Sequence, residues 1–414
     1  MTFVRSILSA EGQASELSLN RNDVGSKDGF IKNDWRKVMK IPAYKKEEEN
    51  VIGAYRTYPA IQEMFESYGF PLPPEEPKFN RPVTPKENMK RVLDGKTPYW
   101  LPFGGMRTSD IQCFMPRQVP DNYACRLVLD GTDRKCEYPS LIQKSSWFDL
   151  EWEYMPAACG STVRPGKPKI EDMSEWEKQV SMPDLDAVDW QGMKRDNEEY
   201  LSTDKFNMLN ILSGPWERLM SLMEVEGAAM ALIDEDQKEG IHRFFDQYCD
   251  FFDSFIGRVK ENCRIDGVLM HDDWGHQNGP FFSHQTAEEM LFPYLKRIVE
   301  SCHKRGLYYE QHSCGRNETF LDLYIEAGVN LYCPQDINDF DLMLEKCRGS
   351  QLVIGVPEPA LPPEASEETV QCAVKEWLEH YKGYAFVSSA LFPNPAVGKE
   401  LYVQSRNLYA GKEL

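Results

Sequence analysis

The chain has 414 residues, 41% of them hydrophobic, enough for one large domain or two ordinary ones with a substantial core. Its formal net charge of −19 argues against nucleic acid or an anionic membrane surface as a partner, because phosphate binding needs clustered Lys and Arg. No apolar run approaches the ~18 residues of a membrane helix, and Met1 to Asn20 shows no basic segment followed by a long apolar one, so the default compartment is the cytoplasm.

Residues 1–84 read as an extension clamped on the main domain. They carry the charge run Lys45-Lys46-Glu47-Glu48-Glu49, the proline-rich stretch Pro71 to Pro77, and two short helical patterns near Trp35 to Met39 and Ala60 to Tyr68. The main domain, 85–414, opens with Thr84 as N-cap and Pro85 in the first turn of a helix that stops at Asp94-Gly95. Tyr99 to Gly105 is a short apolar strand ending in glycines, and 120–165 is strand-like and rich in turns, with period-two alternation over Trp147 to Trp152. Asp172 to Trp190 is polar and reads as loop with a short helix.

From Phe206 the pattern becomes regular. A buried strand, Phe206 to Leu212, leads into a helix with Ser213 as its expected cap. A long amphipathic helix over Glu239 to Cys263 is followed by a strand at Ile265 to Met270. Thr286-Ala287-Glu288-Glu289 reads as a capping box before a helix ending at Arg305-Gly306. Strands at 307–313, 329–333, 352–356 and 384–387 then alternate with helices at 318–327, 339–347 and 367–381. Strict alternation with short connections predicts parallel βα units. An open sheet would advertise a glycine-rich phosphate turn, and the chain has none, so the expected fold is a (β/α)₈ barrel, the TIM barrel, with an N-terminal extension.

A barrel gathers its chemistry at the C-terminal ends of the strands. The polar residues obey that rule: His271-Asp272-Asp273, His312 and Cys314, Gln335 and Glu358 all follow apolar runs. In His312-Ser313-Cys314-Gly315, residues two apart on a strand point to one side, so an imidazole and a thiol can share a borderline-soft cation such as zinc. Cys333 is a candidate third ligand, and Asp272, Asp273 and Glu358 are oxygen alternatives. Asp272 and Asp273 are the candidate catalytic pair, one orienting a ligand and the other moving a proton, or else a turn or helix cap. His271, Trp274 (as a flat wall), Tyr308, Glu310, Gln335 and Glu358 are candidate substrate contacts, and Arg107 and Arg164 possible anion contacts. The 11 cysteines are scattered with no CxxC pair, which suggests reduced thiols.

With these motifs in place, Thr84 to Leu408 resembles the uroporphyrinogen decarboxylase-like superfamily. The resemblance is carried by Thr84-Pro85-Lys86-Glu87-Asn88 with Asp94-Gly95-Lys96-Thr97-Pro98, by Ser213-Gly214-Pro215-Trp216-Glu217, and by Asp266-Gly267 through Asp272-Asp273-Trp274-Gly275. His312-Ser313-Cys314-Gly315, Glu326 to Asn330 and Phe392-Pro393-Asn394-Pro395 continue it. It implies a (β/α)₈ barrel and either heme-pathway decarboxylation or corrinoid-dependent methyl transfer. The His-x-Cys-Gly element is similar to the methyltransferase branch, where His and Cys are two of three zinc ligands and the cobalamin is carried by a partner corrinoid protein. The resemblance therefore implies zinc-assisted transfer of a methyl group between that cobalamin and a small methylated compound, or a thiol or folate acceptor. Phe103-Gly104-Gly105-Met106-Arg107 lacks the arginine-rich pattern of the decarboxylases. The position of the second cysteine that completes the zinc site of the coenzyme M methyltransferases falls near Ser389 here, and no cysteine lies between Cys372 and the C-terminus. A metal-free decarboxylase or lyase acting on a small carboxylated substrate is the alternative.

Overall fold

The computed structural model describes residues 41–412 apart from 68, 105–109, 120, 122–124, 126, 137, 139, 157–159, 167, 363 and 391–393. The expected helix at Trp35 to Met39 and the side chain of Arg107 lie outside the described residues. Eight strands form one sheet: β1 (Phe103–Gly104), β2 (Ile111–Phe114), β3 (Phe206–Ile211), β4 (Gly267–His271), β5 (Tyr308–Ser313), β6 (Leu331–Pro334), β7 (Val353–Pro357) and β8 (Phe386–Ser389). Every pairing between them is parallel, and the order β2-β3-β4-β5-β6-β7-β8-β1 is the cyclic order of a (β/α)₈ barrel, nearly closed.

The helices between strands follow the expected alternation from β3 onward. Numbered after α1 (Pro85–Leu93), which precedes β1, they are α2 (Pro215–Ala231), α3 (Glu235–Asn262), α4 (Phe292–Lys304), α5 (Leu321–Ala327), α6 (Phe340–Lys346), α7 (Glu367–Tyr381) and, after β8, α8 (Pro395–Tyr409). Upstream the regularity fails. β1 and β2 are joined by a stretch too short for a crossover helix. Between β2 and β3 the chain inserts an antiparallel three-stranded sheet, Ile142–Ser145, Leu150–Met155 and Gly160–Val163. The alternating Trp147 to Trp152 stretch belongs to it: Leu150, Trp152 and Tyr154 are buried, while Glu151 and Met155 face out.

Two apolar layers hold the barrel. A large one lies between strands and helices, and a smaller one fills the interior with Phe206, Met208, Leu269, Leu331, Val353 and Val387, inward residues at period two. Met64 and Phe65 from the helix Pro59–Ser67, with Met89, Val92 and Leu93 of α1, join this inner layer. Thr84 caps α1 as expected, accepting from Glu87 N at 3.1 Å. Lys86 and Lys90 of α1 both reach Asp266, just before β4, at 2.8 Å. The end where strands begin is therefore plugged, which leaves the other end for a site.

Residues 41–84 lie against the barrel through polar as well as apolar contacts. Their hairpin, Val51–Arg56 with Glu75–Phe79, places Tyr55 OH 2.7 Å from Asp204 and Glu76 3.0 Å from the Lys205 ammonium. Glu48 is buried under α8 and accepts from Arg406 Nε and Nη2 at 2.8 Å and from Tyr402 OH at 2.6 Å.

Two caps differ from expectation. The residue preceding α2 is Gly214, not Ser213, and its side-chain cap comes from another strand, as described below. The helix after residue 283 is capped by Ser283, which accepts from Thr286 N, and it breaks at Leu291, so the Thr286 capping box does not form.

Candidate metal centre and active site

Strand alternation continues past the end of β4 and separates the two acids. Leu269 is in the interior layer and His271 on its face, so the next inward position is Asp273, while Asp272 points out toward the helices. Asp272 is buried; its Oδ1 accepts from the backbone N–H of Glu217 at 2.9 Å, and the carboxylate also accepts from that of Trp216. Its Oδ2 accepts from Trp274 Nε1 at 2.8 Å. The carboxylate thus caps the first turn of α2. Gly214 makes this possible: its N–H donates to His271 O at 2.7 Å, and a Cβ there would meet Asp272 Cβ and Cγ at 2.5 Å. Burial pushes the Asp272 carboxyl up to about 7, against the pull of these hydrogen bonds. The expected catalytic pair is therefore not brought together as a pair, because Asp272 spends both oxygens on the fold.

Asp273 goes the other way. Its Oδ1 accepts from Cys314 N at 2.6 Å, and its ligand oxygen, a ring nitrogen of His312 and the Cys314 sulfur all lie within 4.8 Å of one another. Among the described residues this is the only group of three or more His, Cys, Asp or Glu side chains so disposed. His312 Nδ1 lies 2.8 Å from Cys333 O; donating there, it leaves Nε2 with a lone pair, 3.5 Å from Cys314 Sγ. Burial first, and then Asp273, pushes the Cys314 thiol well above its usual range, so without a cation it holds its proton. Gly315 (φ +82°) turns the chain immediately afterward, in left-handed backbone that glycine adopts without strain.

Cys333, expected as third ligand, stays outside this trio. It is paired with His312 in register, but its thiol hydrogen-bonds Glu310 and Ser389 inside the barrel, and its sulfur lies against Gly355. Glu310, two residues before His312, is buried in the interior, and burial raises its carboxyl to about 7. The Ser389 position is thus next to Cys333, not part of the donor trio.

The other candidates divide by position. His271 faces the site, its ring centre 4.9 Å from that of His312, and burial holds it well below the usual imidazole range. Gln335 Oε1 accepts from Gly315 N at 2.8 Å and so braces the turn that follows Cys314. Glu358 at the end of β7 accepts from Ser388 Oγ at 3.1 Å, and its carboxyl is raised by burial. Trp274 is no wall of a pocket: it is buried in an aromatic cluster with Phe282, Phe320 and Tyr324. Tyr308 starts β5, with its hydroxyl donating to Asp94 at 2.7 Å, at the plugged end of the barrel. Arg164 pairs with Glu151 on the inserted sheet at 3.7 Å.

Glu217 is the residue that motif reading passed over. It sits in the first turn of α2 with its carboxylate accepting from Asp273 N, and burial together with Asp273 and Asp272 raises it well above the carboxylate range. The signal was its place in Ser213-Gly214-Pro215-Trp216-Glu217, since a helix that begins right after a barrel strand begins at the mouth.

Residues 195–392 match the family model "Uroporphyrinogen decarboxylase (URO-D)". Among solved structures, a methyltransferase from Methanosarcina mazei is 13% identical and superposes with a TM-score of 0.51, covering 79% of this chain and 99% of its own. A B12-independent methionine synthase from Shewanella sp. W3-18-1 is 12% identical, with a TM-score of 0.36 over 65% of this chain and 73% of its own, an overlap too loose to carry weight. No curated protein sequence matches. Strand order and the first of these superpositions make the chain a (β/α)₈ barrel, and the family match over residues 195–392 agrees with the motif resemblance.

Proposed function

We propose that the protein is a corrinoid-linked methyltransferase whose zinc is held by Asp273, His312 and Cys314. The observation that carries this is the convergence of one oxygen, one nitrogen and one sulfur donor within 4.8 Å at the ends of β4 and β5. A mixed O, N, S set of three protein ligands suits zinc and leaves a position open for substrate, as catalytic zinc sites do. Zinc bound there supplies Lewis acidity to the thiol or ether oxygen that takes up or gives up the methyl group.

The chain's own residues prepare that site. His312 is oriented by its Nδ1 contact with Cys333 O, and Cys314 by the Asp273 contact with its backbone N–H. Loading the site releases the Cys314 proton, since the thiolate is the ligand. Asp272 holds α2 in place, so that Glu217 stays beside Asp273. The methyl group moves between a small methylated compound, or a thiol or folate acceptor, and a cobalamin on a partner protein. The alternative of a metal-free lyase that uses Asp272 and Asp273 as acid and base loses one of its two groups to the helix cap.

The test uses the full-length, zinc-loaded chain, with the cobalamin absorbance as readout. One arm offers methylcobalamin with a panel of thiols, the other cob(I)alamin with a panel of methyl ethers. A zinc-dependent change in one arm, absent in His312→Ala, is expected. Silence in both arms, with carbon dioxide released from a carboxylated substrate instead, would favour the lyase.

A further inference from the structure

One buried polar pair has no part in the metal centre. Asn210 lies on β3, on the inward face that carries Phe206 and Met208. It is 4% exposed, and among the described residues neither its Oδ1 nor its Nδ2 meets a hydrogen-bond partner. His271 Nε2, beside His312, is buried and equally without a partner among the described residues. A buried amide at a position where leucine would fill the core opposes folding unless something pairs with it.

Strand stagger puts the two at one level. The pairing row Asn210–Leu269–Glu310–Leu331–Val353 passes from near the end of β3 to the first residues of β6 and β7. The row descends as it goes round, because strands in such a barrel tilt. Asn210 therefore stands above Glu310, at about the height of His312, and faces the same interior as His271.

We propose that Asn210 and His271 form a recognition subsite for a hydroxyl group on the methyl-donor molecule. A hydroxyl oxygen accepts from Asn210 Nδ2 while its hydrogen goes to His271 Nε2, so one group answers both residues. The proposal rests on the methyl-transfer reading for the kind of molecule, though not for the subsite itself.

The experiment measures binding to the zinc-loaded full chain by calorimetry, with the three methoxyphenol isomers as probes and methoxybenzene as the matched compound without a hydroxyl. At least one isomer is expected to bind about tenfold tighter than methoxybenzene to the wild type. In Asn210→Leu the gap should close to within about twofold, and His271→Phe should narrow it as well. Ligand-free Asn210→Leu should melt no lower than wild type, because an unpartnered amide is replaced by core. Equal binding of all four probes to wild type, failure of every isomer to bind, or a gap that persists in Asn210→Leu would overturn the proposal. So would a lower melting temperature for Asn210→Leu, which would make the amide structural. A hydroxyl preference without methyl transfer to cobalamin would leave the subsite standing and remove the methyltransferase assignment.

Discussion

Replacing Asp272 tests whether the adjacent acids have separate duties. Asp272→Ala removes the acceptor for three buried donors: the N–H groups of Trp216 and Glu217 and the indole N–H of Trp274. Loss of an N-cap costs roughly 1–2 kcal/mol, and a buried donor left unmet a further ~1–3 kcal/mol. Together this is about 3 kcal/mol. Unfolding entropy of about 2.1 cal/mol/K per residue then converts it to a fall in melting temperature of roughly 3–5 °C. Asp272→Asn should lose part of the same amount, because its NH₂ must face either the helix N–H groups or the indole. Asp273→Asn should behave oppositely, with near-normal melting but zinc loss and turnover reduced on the order of 10²-fold. Thermal melting and turnover per folded molecule, measured on all three variants, give the comparison. If Asp272→Asn melts like wild type and loses turnover 10²-fold, the cap reading is wrong.

Three further outcomes follow from the packing. Glu48→Gln should cost on the order of 3–5 kcal/mol in urea denaturation, since it strands the buried Arg406, whereas replacing both by apolar residues should be nearly neutral. Burial pushes Glu48 up, but the Arg406 and Tyr402 hydrogen bonds outweigh it and hold its carboxyl below its usual 4.5. A depressed carboxylate contributes fully above its unfolded value and loses that contribution as pH falls through the folded one. The stability gap between wild type and Glu48→Gln should therefore be constant from pH 8 to about 6 and shrink toward pH 4. Gly315→Ala should be strongly destabilised and lose zinc, because a Cβ at φ +82° would run into the Gly275 and His276 backbone; native zinc content in that variant would refute this.

Much of the site was legible in chain order, and the misses have physical reasons. His312 and Cys314 could be put on one face because strand alternation has a strict period of two, and the same parity places His271 and Asp273 inside with Asp272 and Trp274 outside. That parity was available in His271-Asp272-Asp273-Trp274. Adjacency in the chain suggested a pair where geometry makes opposite faces. Cys333 shares the inward face but sits too deep, beside Glu310 and Ser389, and depth depends on the stagger between strands, which no single strand encodes. Tyr308 is at the wrong end of its strand, a distinction that Tyr308-Tyr309 could have shown by preceding the polar end. β2 escaped notice because Ile111–Phe114 is four residues long and follows β1 after too few residues for a crossover helix. The plug formed by α1 and the helix Pro59–Ser67 comes from contacts far apart in the chain, beyond any local pattern.

The central claim is that Asp273, His312 and Cys314, without Cys333, hold one zinc ion. Zinc content should be measured by atomic emission on wild type and on Asp273→Ala, His312→Ala, Cys314→Ala and Cys333→Ala, each purified under identical conditions and shown to be folded. The account predicts about one zinc per chain in wild type and Cys333→Ala and strong loss in the other three, because each removes one of three ligands. Full zinc in His312→Ala and Cys314→Ala, or loss in Cys333→Ala alone, would contradict it.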